Sequence, residues 1–259
     1  MSSYISTTGL VLRETAYKDS SKILTVLTGD EGKLTVSARG ALRKNSKLAA
    51  ATQLLVFSEL TLYSGRDRWT LTEARSVEQF QGLRNDIVLL ALGSYFAEVA
   101  EAIADEDSPG PELLPLCLNA LFALSGGLKP PALVKPALEL RFTAAAGLAP
   151  LLSHCAQCGR ETRDSAYLDL YGGNVNCAEH ARSGNSLLGP GALSAARHII
   201  SCDYKKLFSF AAGEAAMREL YSAAEKYILV QLDRGFRTLD YYKRLLIPDQ
   251  RDTAITASS

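Results

Sequence analysis

The period of the hydrophobic pattern changes near residue 80. Before that point, apolar and polar residues alternate in short runs that are rich in valine, isoleucine, leucine and threonine. An alternation with period two predicts β-strands with one buried face and one exposed face. The sequence therefore predicts five strands, over residues 5–13, 22–28, 33–39, 54–63 and 69–76.

The segments between these strands indicate how the strands are joined. Residues 29–32 (GDEG) contain the glycines of a tight hairpin, and residues 64–68 (SGRDR) predict a second hairpin. Residues 40–50 (GALRKNSKLAA) lose the alternation and predict a loop or a short helix. Five short strands with one such insertion between the third and the fourth are typical of a small OB-type Greek-key barrel. An SH3-like barrel is the alternative.

After about residue 83 the apolar positions follow the period of a helix instead. Residues 105–109 are acidic and predict a connecting loop, and residues 151–187 interrupt the helical pattern with a β-prone run that ends at two glycines. The predicted helices lie on both sides of this interruption, at residues 86–104, 111–124, 132–146, 192–202 and 214–246.

Four residues within the interruption have the spacing of a metal site. Cys155 and Cys158 form a Cys-x-x-Cys pair, and Cys177 and His180 follow as Cys-x-x-His after a gap of 18 residues. Each pair presents two ligands from one turn, and two such pairs fill the tetrahedral shell of a structural zinc ion. His154 is the alternative histidine, but it directly precedes Cys155, and neighbouring residues rarely reach the same metal ion. The sequence therefore predicts structural Zn²⁺.

These patterns together predict an α+β protein. An N-terminal five-stranded OB-type β-barrel is expected over residues 1–80, followed by an α-helical domain over residues 81–248. The zinc finger is inserted into the helical domain at about residues 151–187. Residues 249–259 are small and polar, and we expect a disordered tail there.

No catalytic site is predicted from the sequence. A filled zinc shell leaves no position for an activated water, and the His-x-Glu element that zinc deaminases pair with a downstream Cys-x-x-Cys is absent. The chain also lacks a His-Glu-x-x-His helix, a Gly-x-Ser-x-Gly turn and a phosphate-binding glycine loop that ends in lysine. We therefore expect a protein that binds rather than catalyses.

Hydropathy and charge indicate where the protein is located and which part of it is positively charged. No apolar run approaches the roughly 20 residues of a membrane helix, and the first residues lack the layout of a signal peptide. We expect a cytoplasmic protein without a membrane partner. The formal net charge is +0, but residues 1–80 carry 11 Lys and Arg against 8 Asp and Glu. The excess is concentrated in residues 33–47, which contain five cations and no acidic residue.

This basic stretch is the predicted DNA-binding surface. As a bare charge run it has an equally plausible interpretation, an ordinary solvated loop. OB-type barrels, however, bind single strands through such strands and loops, where cations contact phosphates without reading sequence. The aromatic residues Tyr17, Tyr63 and Trp69 are weaker candidates for stacking on bases. The predicted DNA-binding residues are Lys18, Lys22, Lys33, Arg39, Arg43, Lys44, Lys47, Arg66 and Arg68.

Taken over nearly its full length, the chain resembles the RecO family of bacterial recombination mediators. Four segments carry the resemblance, and their order matches the predicted order of barrel, helices and zinc insertion. The segments are residues 7–28 (TTGLVLRETAYKDSSKILTVLT), residues 32–47 (GKLTVSARGALRKNSK), residues 138–150 (LELRFTAAAGLAP) before the first cysteine pair, and residues 171–177 (YGGNVNC).

The resemblance implies a non-enzymatic protein of DNA repair that is associated with the bacterial nucleoid. Such proteins bind single- and double-stranded DNA, anneal complementary strands, act with RecR, and help RecA to replace the single-stranded-DNA-binding protein. The helical domain of this family receives the acidic C-terminal tail of that binding protein. Arg141 is the candidate residue for contact with the tail, and an ordinary arginine on the helix surface is the alternative. The competing interpretation is an adaptor that binds only proteins of a repair or replication complex.

Overall fold

The computed structural model of the protein describes residues 4–65, 69–106, 110 and 112–247. The N-terminal part is a closed barrel with the strand order β1-β2-β3-β5-β4, in which β4 pairs back onto β1. Neighbouring strands are antiparallel except β3 and β5, which are parallel and place Val36 beside Trp69. This order confirms the predicted OB-type barrel. Its strands are β1 (Tyr4–Tyr17), β2 (Ser21–Thr28), β3 (Lys33–Ala38), β4 (Phe57–Ser64) and β5 (Trp69–Glu78).

The barrel has a small interior core and also packs onto the helices. Strands β3 and β4 alternate between buried and more exposed positions, as expected when one face points into the barrel. The central part of β1 is buried without alternation, because its second face is covered. Leu10, Leu12 and Leu27 belong to the same apolar cluster as the helices, so the barrel and the helices share one core.

The helical part contains a small sheet. Between residues 145 and 190 the chain forms strands β6 (Leu151–Cys155), β7 (Ala166–Asp169), β8 (Asn174–Asn176) and β9 (Ser186–Leu188), in the order β6-β8-β7-β9. None of the helices in the described residues is both long and apolar enough to cross a membrane. The helices are α1 (Gln81–Arg84), α2 (Ile87–Ile103), α3 (Leu113–Ser125), α4 (Pro131–Ala145), α5 (Pro190–Ser201), α6 (Glu214–Gln231) and α7 (Arg237–Leu245).

The prediction of one long helix over residues 214–246 was wrong. Helix α6 ends at Gln231, and Asp233 has a φ of 47°, in the left-handed region where a regular helix cannot continue. Helix α7 then begins after Phe236, whose buried ring packs edge-on against Tyr95 of α2 at a centroid distance of 5.6 Å. The anchoring of Phe236 in the core turns α7 back onto α2. The predicted tail, residues 249–259, lies outside the described residues.

Replacing Gly82 with alanine is expected to destabilise the protein. Gly82 lies in α1 where this helix contacts the end of α3, and an added Cβ atom would come within 1.9 Å of the backbone oxygen of Ser125. Relief of this clash requires a backbone shift, which typically costs roughly 1–3 kcal/mol. Thermal or denaturant unfolding measures the change. Gly235→Ala is the control, because an added Cβ at Gly235 meets nothing within 4 Å. Equal stability of the two variants would contradict the prediction.

Candidate metal centre and nucleic-acid interface

The four residues of the predicted metal site come together in the small sheet. One ligand atom from each of Cys155, Cys158, Cys177 and His180 lies within 4.8 Å of the other three. The Cys158 and Cys177 sulfurs are 4.0 Å apart, and Nδ1 of His180 lies 3.2 Å from the Cys177 sulfur and 3.7 Å from the Cys155 sulfur. A tetrahedral shell with metal–sulfur bonds of about 2.3 Å separates its sulfurs by about 3.8 Å. The cluster therefore has the size of a four-ligand metal site.

Local backbone geometry explains how these residues meet. Strand β6 ends at Cys155, and the following turn closes through a hydrogen bond from the Gly159 N–H to the Cys155 carbonyl, with Gly159 at a φ of 70°. Strand β8 lies parallel to β6 and delivers Cys177 just after its end. A 3-10 turn over Ala178–His180 then places the His180 imidazole next to the sulfurs of Cys155 and Cys177. The β-prone run before the two glycines forms β7, which turns back into the antiparallel strand β8 and so leads the chain to Cys177.

Backbone amides stabilise the metal-binding form of the first cysteine. The backbone N–H of Cys177, followed by those of Cys158 and Gln157, lowers the pKa of the Cys155 thiol to about 6. Burial, by contrast, raises the pKa of Cys177. Three sulfur ligands and one imidazole form a soft donor set of the kind that zinc occupies in structural sites. His154 is exposed and is not part of the cluster.

Polar contacts attach the sheet of β6, β8, β7 and β9, which we call the metal-site sheet, to helices α5 and α6. Arg197 of α5 donates to the Leu152 carbonyl at 2.7 Å, and Gln231 of α6 donates to the Leu170 carbonyl at 2.6 Å. The side chains of Leu168 and Val175 belong to the main core. The sequence patterns did not identify Arg197, because its role depends on a contact between segments 45 residues apart. The sheet that carries the four residues is thus part of the helical core rather than a separate appendage.

The predicted DNA-binding residues fall into separate groups in the structure. Four of them form a set that we call the basic loop, and all four are exposed on the connection between β3 and β4: Arg39, Arg43, Lys44 and Lys47. Within the described part of the chain, none of these four side chains forms an ion pair. Their charge therefore faces solvent.

The basic loop lies against the turn that joins β1 and β2. The Leu42 N–H donates to the Ser20 carbonyl at 3.0 Å, and the Gly40 N–H approaches the Ser21 hydroxyl at 3.4 Å. Lys18 lies in the same turn and is exposed. The structure thus brings Lys18 to the basic loop, although more than 20 residues separate Lys18 from most of the loop.

Two other predicted cations point into the protein. The ammonium group of Lys22 pairs with Glu14, and the Lys22 side chain is only 11% exposed. The ammonium group of Lys33 donates to the Glu101 carbonyl of α2 at 3.1 Å. Both lysines therefore have internal partners. Arg66 and Arg68 lie outside the described residues.

Arg141, the predicted partner contact, is largely buried in the helical part. Its guanidinium donates to the carbonyl of Ile200 at 2.7 Å, at the C-terminal end of α5, and lies 3.3 Å from the carboxylate of Glu112. The Arg141 side chain is 10% exposed, whereas that of Glu112 is 58% exposed. Arg141 therefore holds α4 to the end of α5 and reaches the surface only beside Glu112.

Comparison with known proteins agrees with this organisation. The family profile described as "Recombination protein O N terminal" matches residues 1–80, and the profile described as "Recombination protein O C terminal" matches residues 84–240. Together the two profiles cover the barrel, the metal-site sheet and nearly all the helices.

Curated relatives match over most of their own length. The chain is 30% identical to the DNA repair protein RecO of Acetivibrio thermocellus, over 93% of this chain and 97% of that protein. It is 35% identical to the DNA repair protein RecO of Heliobacterium modesticaldum, over 88% of this chain and 85% of that protein. The corresponding protein of Caldicellulosiruptor bescii is 27% identical, over 92% of this chain and 98% of its own length.

Proposed function

We propose, since the chain belongs to the RecO family of DNA repair proteins, that it is a non-enzymatic mediator whose basic loop binds the DNA backbone. The observation that carries this proposal is the exposure of Arg39, Arg43, Lys44 and Lys47 without ion-pair partners among the described residues. Phosphate contacts of this kind release counterions and do not read sequence. The protein would accordingly bind both single- and double-stranded DNA.

Annealing of complementary strands follows from the same electrostatics. Two single strands repel each other through their phosphates, and a surface that neutralises part of this charge lowers the cost of bringing them together. The wider role that we propose is to help load RecA onto DNA coated by the single-stranded-DNA-binding protein, in concert with RecR, in the cytoplasm near the nucleoid. Relatives named as DNA repair proteins support this role.

Replacing Arg39, Arg43 and Lys44 together with alanine tests the basic loop. If the four cations of the loop contact a single strand, log affinity falls with log salt at a slope of about −3 in the parent protein. The triple variant retains Lys47, so its slope should approach about −1, and its affinity near 0.1 M salt should fall roughly 10- to 100-fold. Fluorescence anisotropy with a labelled oligonucleotide over a salt series measures both quantities.

The control variant removes the same number of charges elsewhere. Arg182, Lys226 and Arg237 are exposed in the helical part, and alanine at these three positions should leave the slope near that of the parent. An equal loss of DNA affinity in both variants would indicate that binding depends on the overall charge of the protein. It would contradict the assignment of the basic loop as the DNA-binding surface. An absence of DNA binding by the parent protein without partners would favour the adaptor that binds only proteins.

The metal that we propose for the cysteine–histidine cluster is zinc in a structural role. When bound, zinc would be held by the Cys155, Cys158 and Cys177 sulfurs and by Nδ1 of His180, and it would fix the turn after β6 against the turn after β8. Four protein ligands complete a tetrahedral shell, so the bound ion would contribute folding energy and not an activated water.

Arg141 remains our proposed contact for the acidic tail of the single-stranded-DNA-binding protein. Because its guanidinium is already paired with Glu112 at 3.3 Å, a tail carboxylate would have to replace the carboxylate of Glu112. Glu112 is the more exposed partner, so this exchange needs no opening of the core. The proposal implies that Glu112→Gln strengthens binding of an acidic peptide, whereas Arg141→Gln weakens it.

A further inference from the structure

Tyr17 presents an aromatic ring at the surface beside the basic loop. It is the last residue of β1, it pairs with Ser21 across the turn, and it is 43% exposed. The ammonium group of Lys18 lies 5.3 Å from the centre of the Tyr17 ring. An exposed ring next to a cation is an arrangement that suits a nucleic-acid base, because every base has a flat face that can stack.

The turn that carries Tyr17 is fixed to the basic loop by backbone contacts. The Ser20 carbonyl accepts the Leu42 N–H at 3.0 Å, and the ladder between β2 and β3 continues to the pair Lys22 and Ala38, next to Arg39. The Leu42 side chain is itself 44% exposed between cations of the loop. Apolar and aromatic surface is therefore interleaved with positive charge at one place on the barrel.

We propose that Tyr17 stacks on an unpaired base of a DNA strand whose phosphates contact the basic loop, and that this stacking gives the surface a preference for single strands. The inference rests on the proposed function. Bases in a duplex are already stacked and paired, so their faces cannot reach Tyr17, whereas the bases of a single strand are free to do so. The basic loop supplies affinity for either form of DNA, and Tyr17 distinguishes between them.

Tyr63 and Trp69 of the barrel are less available for stacking on a base. The ring of Tyr63 packs against that of Tyr4 at a centroid distance of 5.0 Å, on the β1–β4 side of the barrel. Trp69 is partly buried and packs against the barrel interior. Tyr17 combines exposure, a neighbouring cation and a direct backbone link to the basic loop.

Substitutions at Tyr17 distinguish stacking by the Tyr17 ring from phosphate contacts of the basic loop. Tyr17→Leu removes the flat ring, and Tyr17→Phe keeps it. We expect Tyr17→Leu to weaken binding of an oligo-dT strand roughly 5- to 150-fold, the range for loss of one stacked base, and to leave the affinity for a duplex of equal length unchanged. Tyr17→Phe should bind both forms as the parent does. Anisotropy titrations of the parent and both variants at one salt concentration measure all six affinities.

Tyr241→Leu is a matched control on α7. Tyr241 is also 43% exposed, and the Arg244 guanidinium lies 5.9 Å from the centre of its ring. We expect no change in either affinity for this variant. As a direct readout, photocrosslinking to an oligonucleotide that contains 5-iododeoxyuridine should modify the tryptic peptide of residues 14–18, which contains Tyr17.

The outcomes distinguish this inference from the proposed function. The alanine variant of Arg39, Arg43 and Lys44 is the basic-loop variant. If this variant loses DNA binding but Tyr17→Leu binds single strands as the parent does, the stacking role of Tyr17 is wrong and the DNA-binding role of the basic loop stands. Equal weakening of single strand and duplex by Tyr17→Leu would also overturn the inference, because stacking cannot act on a duplex. If the basic-loop variant binds as tightly as the parent, the proposed function itself is contradicted.

Discussion

Removing the metal from the Cys155, Cys158, Cys177 and His180 site is expected to lower the free energy of unfolding by about 4–5 kcal/mol or more, the range that marks loss of a metal or disulfide. Without the ion, three sulfurs and an imidazole that lie within 4.8 Å of one another lose the partner that holds them together. Binding energy at a closed site is folding energy, so a chelator should lower the melting temperature directly.

The effect should spread from the sheet into the helices behind it. Leu168 and Val175 are almost completely buried and belong to the main core, and Arg197 of α5 donates to the Leu152 carbonyl of β6. If the sheet frays, these contacts are lost and α5 and α6 become exposed on one face. Hydrogen exchange should therefore accelerate in the metal-site sheet, α5 and α6, and remain slow in the barrel.

A cysteine that is not a ligand provides the control for the ligand substitutions. Cys177→Ser should abolish stoichiometric zinc and reproduce the effect of the chelator. Cys202→Ser, at a half-buried position after α5, should retain zinc and change stability little. Metal content by plasma emission and melting by circular dichroism report the two properties separately. A chelated protein with an unchanged melting temperature would contradict a structural role for the metal.

The barrel was the most predictable part of the fold, because its signals are local. Period-two alternation, paired with glycine-containing turns, indicated five strands, and the described part of the barrel contains five strands near the predicted positions. The division of residues 214–246 into two helices was not predicted, because the helical period continues through Asp233 and Gly235. What ends α6 is the left-handed backbone at Asp233 and the burial of Phe236 against Tyr95, and the second of these is a tertiary contact.

The candidate sites show the same division between local and distant information. The spacing alone predicted the cluster of three cysteines and one histidine that the structure brings together, because a metal site constrains both the type and the separation of its residues. A run of positive charge carries no such constraint. Lys22 and Lys33 have the same charge as Lys44 and Lys47. Lys22, however, pairs with Glu14, and Lys33 donates a hydrogen bond to the Glu101 carbonyl. These partners come from other elements, so the sequence around each lysine does not reveal which of the predicted cations face solvent.

A buried charge cluster links α4, α6 and α7, and no pattern in the sequence indicated it. The ammonium group of Lys135 is fully buried and lies 2.8 Å from a carboxylate oxygen of Glu139 and 2.8 Å from one of Glu225. The Tyr95 hydroxyl donates to Glu139, and Lys243 of α7 pairs with the second oxygen of Glu225. The two lysines balance the two glutamates, so the cluster is neutral while all four groups are charged.

Replacing Lys135 with methionine is expected to destabilise the protein by about 3–5 kcal/mol near about pH 8.5, because Glu139 is then either buried as a carboxylate without a cation or must bind a proton at a pH where the free acid is ionised. Chemical denaturation measures the loss. The double variant Lys135→Met/Glu139→Gln should recover most of the stability, since an amide can still accept the hydrogen bond from the Tyr95 hydroxyl and carries no charge. Lys226→Met, at an exposed position on α6, is the control and should change stability by no more than about 0.5 kcal/mol.

The pH dependence of this loss identifies its cause. Burial raises the pKa of Glu139 to about 7, against the opposing effect of Lys135, so the folded state holds this proton more tightly than the unfolded state does. The contribution of Glu139 to stability is therefore fully present below its unfolded pKa and is lost as pH rises through about 7. Without Lys135 the pKa rises further, and the penalty of Lys135→Met relative to the parent should be larger near about pH 8.5 than near about pH 5.5. A penalty that is the same at both pH values would show that Lys135 stabilises the fold through packing and not through the charge of Glu139.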